Sequence, residues 1–155
     1  MLKKALAVVL AIVSALVVGG YVLYLRNTVP VVPVLDARDV ASARKPIVVK
    51  LHAQWCVKCM ATKGVWADIE KEYATRVHLL VMDFTDAAST ELSRKEAQRL
   101  GLDQFFEEFS GATGIVVVLD AATKEVAAEL GFSRDLSVYR AAIDAALARE
   151  TRPRP

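Results

Sequence analysis

The chain has two cysteines, Cys56 and Cys59, and both fall in one four-residue motif directly after an apolar β-branched run. A structural disulfide elsewhere is therefore excluded, because any bridge would consume the motif. Ile47 to Leu51 is continuously apolar apart from Lys50, which predicts a buried strand. Beyond the cysteines, Ala61, Val65, Ile69 and Tyr73 recur every four residues and predict a helix with one apolar stripe. Cys56 then stands where a strand gives way to a helix. Unpaired backbone N–H groups and the helix dipole favour an anion there, so they lower the thiol pKa and raise the thiolate fraction. Cys59 lies one turn on, placed to attack a mixed disulfide formed by Cys56. Lys58 adds positive charge nearby, unless its long side chain simply reaches solvent.

Other roles for the pair are weaker. Zinc in a closed site needs four ligands, and the remaining soft candidates are His52 and His78. Each of these reads as an ordinary strand histidine. Two inert buried cysteines fit poorly with a strand-to-helix junction, an exposed place, and with Trp55 beside them.

The rest of the chain alternates strands and helices. Asp36 to Ala43 suits a short helix that stops before Pro46. Val77 to Phe84 is a second strand. Ser93 and Glu96 have capping-box spacing, and the helix they open would end at Gly101. Asp103 could cap a short helix carrying Phe105, Phe106 and Phe109, residues spaced as core, with Gly111 past its end. Gly114 to Leu119 is a third strand and Glu125 to Leu130 a fourth, after a turn at 121–124. Leu136, Tyr139, Ile143 and Leu147 line a closing helix. This order predicts an α/β fold: a central mixed sheet with parallel pairs, flanked by helices and finished by an antiparallel hairpin.

Before this domain comes an uncharged run of 21 residues, Ala5 to Leu25. At about 1.5 Å per residue it reaches roughly 30 Å, the thickness of a bilayer core. Lys3 and Lys4 precede it, Arg26 closes it, and Tyr21 and Tyr24 lie where interfacial aromatics are expected. We read one transmembrane helix over 5–25, preceded by a basic segment over 1–4 and followed by a linker over 26–34. The rival is a cleaved signal peptide, whose apolar stretch is shorter and ends at a small-residue site. The lysines before the run favour an extracytoplasmic domain. Arg26, Arg38, Arg44 and Lys45 on the other side weigh against that orientation.

Lys3 and Lys4 are two of the chain's 20 basic residues, so beyond residue 25 there remain 18 basic and 18 acidic ones. That balance lacks the basic field that nucleic-acid binding requires. Arg149, Arg152 and Arg154 belong to an expected disordered, solvated tail over 149–155.

The stretch Val48-Val49-Lys50-Leu51-His52-Ala53-Gln54-Trp55-Cys56-Val57-Lys58-Cys59 resembles the strand and active-site segment of the thioredoxin superfamily, including its Ala-x-Trp-Cys-x-x-Cys core. The resemblance covers about residues 35–148 and implies a thioredoxin-like fold. With the expected anchor and the residues inserted between Phe84 and Gly111, the chain is most similar to membrane-tethered bacterial members. These serve in extracytoplasmic disulfide reduction or in cytochrome c maturation. The resemblance implies a thiol–disulfide oxidoreductase in which Cys56 attacks, Cys59 resolves and Trp55 helps to dock substrate. It implies no cofactor beyond the redox-active Cys56–Cys59 pair. Partners would be protein disulfides or dithiols, a redox protein that resets the site, and the membrane through residues 5–25.

Two positions depart from the family pattern. Where the family carries a cis-proline before the third strand, this chain has Gly114 after Thr113. Glycine permits an unusual backbone without enforcing it, which implies looser docking and a site more open to a metal ion. Where the family often carries a buried acid near the second cysteine, this chain has Lys50. Its ammonium either stays beside the thiols and favours thiolate, or threads past the sheet into water. Two alternative functions follow: a Cu(I)-binding module using Cys56 and Cys59 as thiolate ligands, or a non-catalytic interaction module.

Overall fold

A computed structural model describes residues 13–20, 35–36, 38, 40 and 45–150 of the chain. The chain divides into two units, Met1–Val32 and Pro33–Pro155. In the first, residues 13–20 are helical, with Val13, Leu16, Val17 and Val18 exposed. Among the described residues no helix is long and apolar enough to cross a membrane. The rest of the expected anchor over 5–25, the basic segment over 1–4, the linker over 26–34 and residues 151–155 of the tail lie outside the described residues.

The second unit holds a four-stranded sheet in the order β2-β1-β3-β4. Strand β1 is Ile47–His52, β2 His78–Asp83, β3 Ile115–Leu119 and β4 Val126–Leu130. Strands β1 and β2 run parallel, as the helical connection between them demands, while β3 pairs antiparallel with both β1 and β4. The expected mixed sheet is thus found, and β1, one of its two inner strands, is the one that leads to the cysteines.

Both faces of that strand are covered, which accounts for its unbroken apolar run. Successive side chains alternate between faces. Ile47, Val49 and Leu51 pack under helices α3 (Ala87–Leu100) and α4 (Asp103–Phe109), among Met82, Phe106 and Leu119. Val48 faces the other way, into a cluster formed by α2 (Lys63–Tyr73) and α5 (Leu136–Glu150). Phe105, Phe106 and Phe109 are buried core residues, as their spacing predicts. Lys50 shares the parity of Val48 and so faces α2 and α5.

Several boundaries differ from expectation. The stripe from Ala61 to Tyr73 belongs to two helices, α1 (Val57–Ala61) and α2, separated at Thr62. The Thr62 hydroxyl donates back to the carbonyl of Lys58 at 3.0 Å, a bond that competes with regular helix geometry and leaves α2 without a side-chain cap. Helix α3 begins not at Ser93 but six residues earlier, where Asp86 Oδ1 accepts from the Ser89 N–H at 2.7 Å. Ser93 lies mid-helix and buried. Its hydroxyl accepts from Asp83 N–H at 2.8 Å and donates to the Asp83 carbonyl at 3.2 Å, tying α3 to the end of β2. The helix ends as expected at Gly101, whose φ of 68° suits a left-handed cap. Asp103 is the first residue of α4 rather than its cap, which is Leu102. Helix α5 runs to Glu150, so the expected tail over 149–155 begins inside a helix.

Candidate active site

Strand β1 ends at His52, and the chain turns through Ala53, Gln54 and Trp55 before α1 begins. The turn is closed by the Cys56 N–H donating to the Ala53 carbonyl at 3.1 Å. It is also fastened to the neighbouring strand. Gln54 N–H donates to Thr85 Oγ1 at 2.9 Å, and the Trp55 indole N–H donates to the Thr85 carbonyl at 3.0 Å. Thr85 in turn bonds Asp83, so the segment after β2 orients the residue beside the cysteines. Thr85 belongs to no motif, and parallel pairing of β1 with β2 is what brings it here. Replacing it with valine removes the bond to Gln54 and leaves Asp83 short of a partner, which should cost about 1–2 kcal/mol. A shift in Trp55 fluorescence together with a lower melting temperature would register that loss; neither changing would show that Thr85 does not hold this turn.

Cys56 is the N-cap of α1, with its sulfur accepting from the Cys59 N–H at 3.2 Å. Burial opposes its ionisation. The hydrogen bonds it receives outweigh burial: from the Cys59 thiol and backbone, the Thr113 hydroxyl and the Lys58 backbone. They hold the Cys56 thiol below its ordinary value. Cys59 is pushed the other way, chiefly by burial, then by its hydrogen bond to Cys56 and the charge there. Its thiol points at the Leu51 carbonyl, 3.8 Å away. The two sulfurs are therefore unequal. One is acidic and at the surface end, the other is reluctant to ionise and lies behind it.

Cys56 thus stands at a helix start as expected, and the Cys59 N–H of the first turn is one of the donors that reach its sulfur. The pair is also more covered than a strand-to-helix junction implied, with Cys56 7% and Cys59 1% exposed. Trp55, Val57 and Met60 around them are each more than half exposed.

Gly114 closes the site from the β3 side. Its φ is +77°, and its N–H donates to the Leu51 carbonyl at 2.9 Å. A Cβ there would stand 2.9 Å from Lys58 Cβ and 3.3 Å from Cys56 Sγ. Glycine thus lets α1 lie against the loop before β3, and the exposed Lys58 folds its stem over that gap. Thr113 beside it donates toward Cys56, so Cys56, Lys58, Thr113 and Gly114 meet in one corner.

Lys50 lies beneath it. Its residue is 9% exposed, and its Nζ stands 5.3 Å from the centroid of the Trp66 ring rather than in open water. Trp66, absent from the sequence reading, is buried and donates to Glu70 Oε1 at 2.6 Å. Its spacing with Ile69 and Tyr73, three and seven residues on, is the signal that marks it.

The two histidines do not join the cysteines in a common site. His52 pairs opposite Asp83 and His78 opposite Ile47, at opposite ends of β1. Among the described residues, no group of three or more His, Cys, Asp or Glu could hold a metal ion.

Comparison with known proteins agrees with this geometry. Residues 36–96 match the thioredoxin family model. Thioredoxin C-2 of Corynebacterium nephridii is 35% identical over 52 residues, which are 34% of this chain and 48% of that protein. The chain thus spans about half the length of the curated relative it matches. A thioredoxin-like protein solved in solution in its oxidized form superimposes with a TM-score of 0.51 at 12% identity, covering 74% of this chain and 85% of the other. At that identity the likeness concerns the fold. Fold, motif and family match together show a thioredoxin-like domain, with residues 36–96 the part that the thioredoxin family model covers.

Proposed function

We propose that the chain is a thiol–disulfide oxidoreductase, anchored by residues 5–25, that reduces disulfides of exported proteins or serves in cytochrome c maturation. One observation carries the reading: Cys56 caps helix α1 with its sulfur accepting from the Cys59 N–H at 3.2 Å, and Cys59 lies buried one turn behind it. In a reductive cycle the Cys56 thiolate attacks a substrate disulfide and forms a mixed disulfide. Cys59 then attacks Cys56 Sγ, the substrate leaves as a dithiol, and the Cys56–Cys59 pair is left oxidised. No further cofactor takes part. The exposed Trp55, Val57 and Met60 provide an apolar rim on which a protein segment around a disulfide can rest.

The test uses the full-length chain with a small dithiol as electron source. Reduction of a model protein disulfide is the expected result. In intact cells, a membrane-impermeant thiol reagent should label Cys56, and the mature chain should retain residues 1–25. A folded chain that reduces nothing ends the enzymatic reading. Label confined to broken cells ends the extracytoplasmic one, and a mature chain lacking residues 1–25 ends the anchor.

A further inference from the structure

Sheet order divides the surroundings of Cys56 into two flanks. Strands β2 and β3 lie on opposite sides of β1, and Cys56 follows from the turn at the end of β1. On the β2 flank, the Trp55 indole is tied to the Thr85 carbonyl. The acids of that flank are engaged: Asp83 accepts from Thr85, and Asp86 accepts from the Ser89 N–H. On the β3 flank stands Gly114. The point where its Cβ would lie is 3.3 Å from Cys56 Sγ and equally 3.3 Å from Lys58 Cδ. The Lys58 stem therefore bends toward the loop before β3, and its ammonium, two bonds past Cδ, lies on the same flank as the reactive sulfur.

Lys58 is the one charged side chain of that corner, since residues 53–62 and 110–115 carry no other. It is exposed, and among the described residues it makes no ion pair. A free cation beside a nucleophile takes its counter-charge from whatever docks there.

We propose that Lys58 is a specificity-determining residue, selecting disulfides with a carboxylate one or two residues from the sulfur that Cys56 attacks, on the side toward Gly114. The proposal deepens the oxidoreductase reading and rests on it. An extended segment advances about 3.3 Å per residue, so such a carboxylate stays within reach of an ammonium screened over about 8 Å at physiological salt. The opposite flank presents the exposed Trp55 and no free charge. The favoured substrate is thus a peptide segment with an apolar residue on one side of its cysteine and an acid on the other. The exchange step is unaltered; the cation acts on encounter and register.

The first test needs no turnover. In the full-length Cys59→Ser protein, Cys56 is alkylated by iodoacetate, which carries a carboxylate, and by iodoacetamide, which is neutral. Both reagents consume the same thiolate, so the ratio of their rates cancels any change in its ionisation. Lys58→Met, which keeps a stem over Gly114, should lower the iodoacetate-to-iodoacetamide ratio about threefold, and Lys58→Glu about tenfold. Added salt should bring the unaltered Lys58 protein toward the Lys58→Met ratio. The second test uses the full-length chain with both cysteines and a small dithiol as electron source. A peptide disulfide with glutamate beside the attacked cysteine should be reduced about threefold faster than its glutamine counterpart, and Lys58→Glu should reverse that order. A ratio unmoved by Lys58→Met, or equal rates on the two peptides, overturns the proposal. A ratio that moves in a protein that reduces neither peptide leaves the pull of Lys58 at Cys56 standing and overturns only the oxidoreductase reading.

Discussion

Cys56→Ser should abolish disulfide reduction, lowering it by ~10³-fold or more, while Cys59→Ser should stall with substrate bound covalently through Cys56. The asymmetry follows from the two environments. Cys56 receives donors from Cys59, Thr113 and Lys58, and these act more strongly on a thiolate than on a thiol. Its alkylation should therefore rise with pH through a midpoint below that of an ordinary cysteine. Cys59, buried and donating toward Cys56, should remain a thiol to higher pH. Without Cys59 the first attack still proceeds, but nothing displaces the substrate. Non-reducing electrophoresis would show this adduct for Cys59→Ser and not for the double variant. An active Cys56→Ser protein, or adducts formed through Cys59 alone, would sink the assignment of roles.

Gly114→Pro should destabilise the domain by about 3 kcal/mol or more, with a fall in melting temperature on the order of 10 °C. Three separate losses contribute. Proline holds φ near −65°, whereas the backbone here is at +77°. Proline also lacks the N–H that reaches the Leu51 carbonyl. Any Cβ at this position meets Lys58 and Cys56 Sγ at close range. Gly114→Ala keeps the N–H and suffers only strain and crowding, so it should cost less, about 1–3 kcal/mol. Both variants should alter Cys56 reactivity, because the atom nearest the added carbon after Lys58 Cβ is the reactive sulfur. The superfamily resemblance makes this a sharp test. If the loop could simply adopt the family's proline form, Gly114→Pro would melt at the parent temperature, and the left-handed glycine would be dispensable.

Much of this site is legible along the chain because its parts are close in sequence. A buried strand, a short turn and two cysteines one helical turn apart lie within Ile47 to Cys59, and local geometry places them together. The three phenylalanines of α4 and the glycine that ends α3 are equally local signals. Ser93 misleads for the opposite reason. Its spacing to Glu96 mimics a cap, yet its hydroxyl is spent on Asp83, ten residues earlier and on another element. Thr62 breaks the stripe that periodicity joins, since a hydroxyl bonding backward does not disturb the apolar pattern.

By itself the sequence determined the alternation of elements and the position of the cysteine pair at a strand-to-helix junction, both matters of spacing and residue type. Tertiary structure decided which groups surround that pair. Thr85 reaches the turn because β1 and β2 lie side by side, and Gly114 lets the side chains of Lys58 and Cys56 lie close against the loop before β3. The side of the sheet on which Lys50 falls follows from alternation, but whether its head meets water depends on Trp66 and Tyr139, sixteen and 89 residues away. Desolvation is a property of everything packed around a group, so no local pattern of residues encodes it.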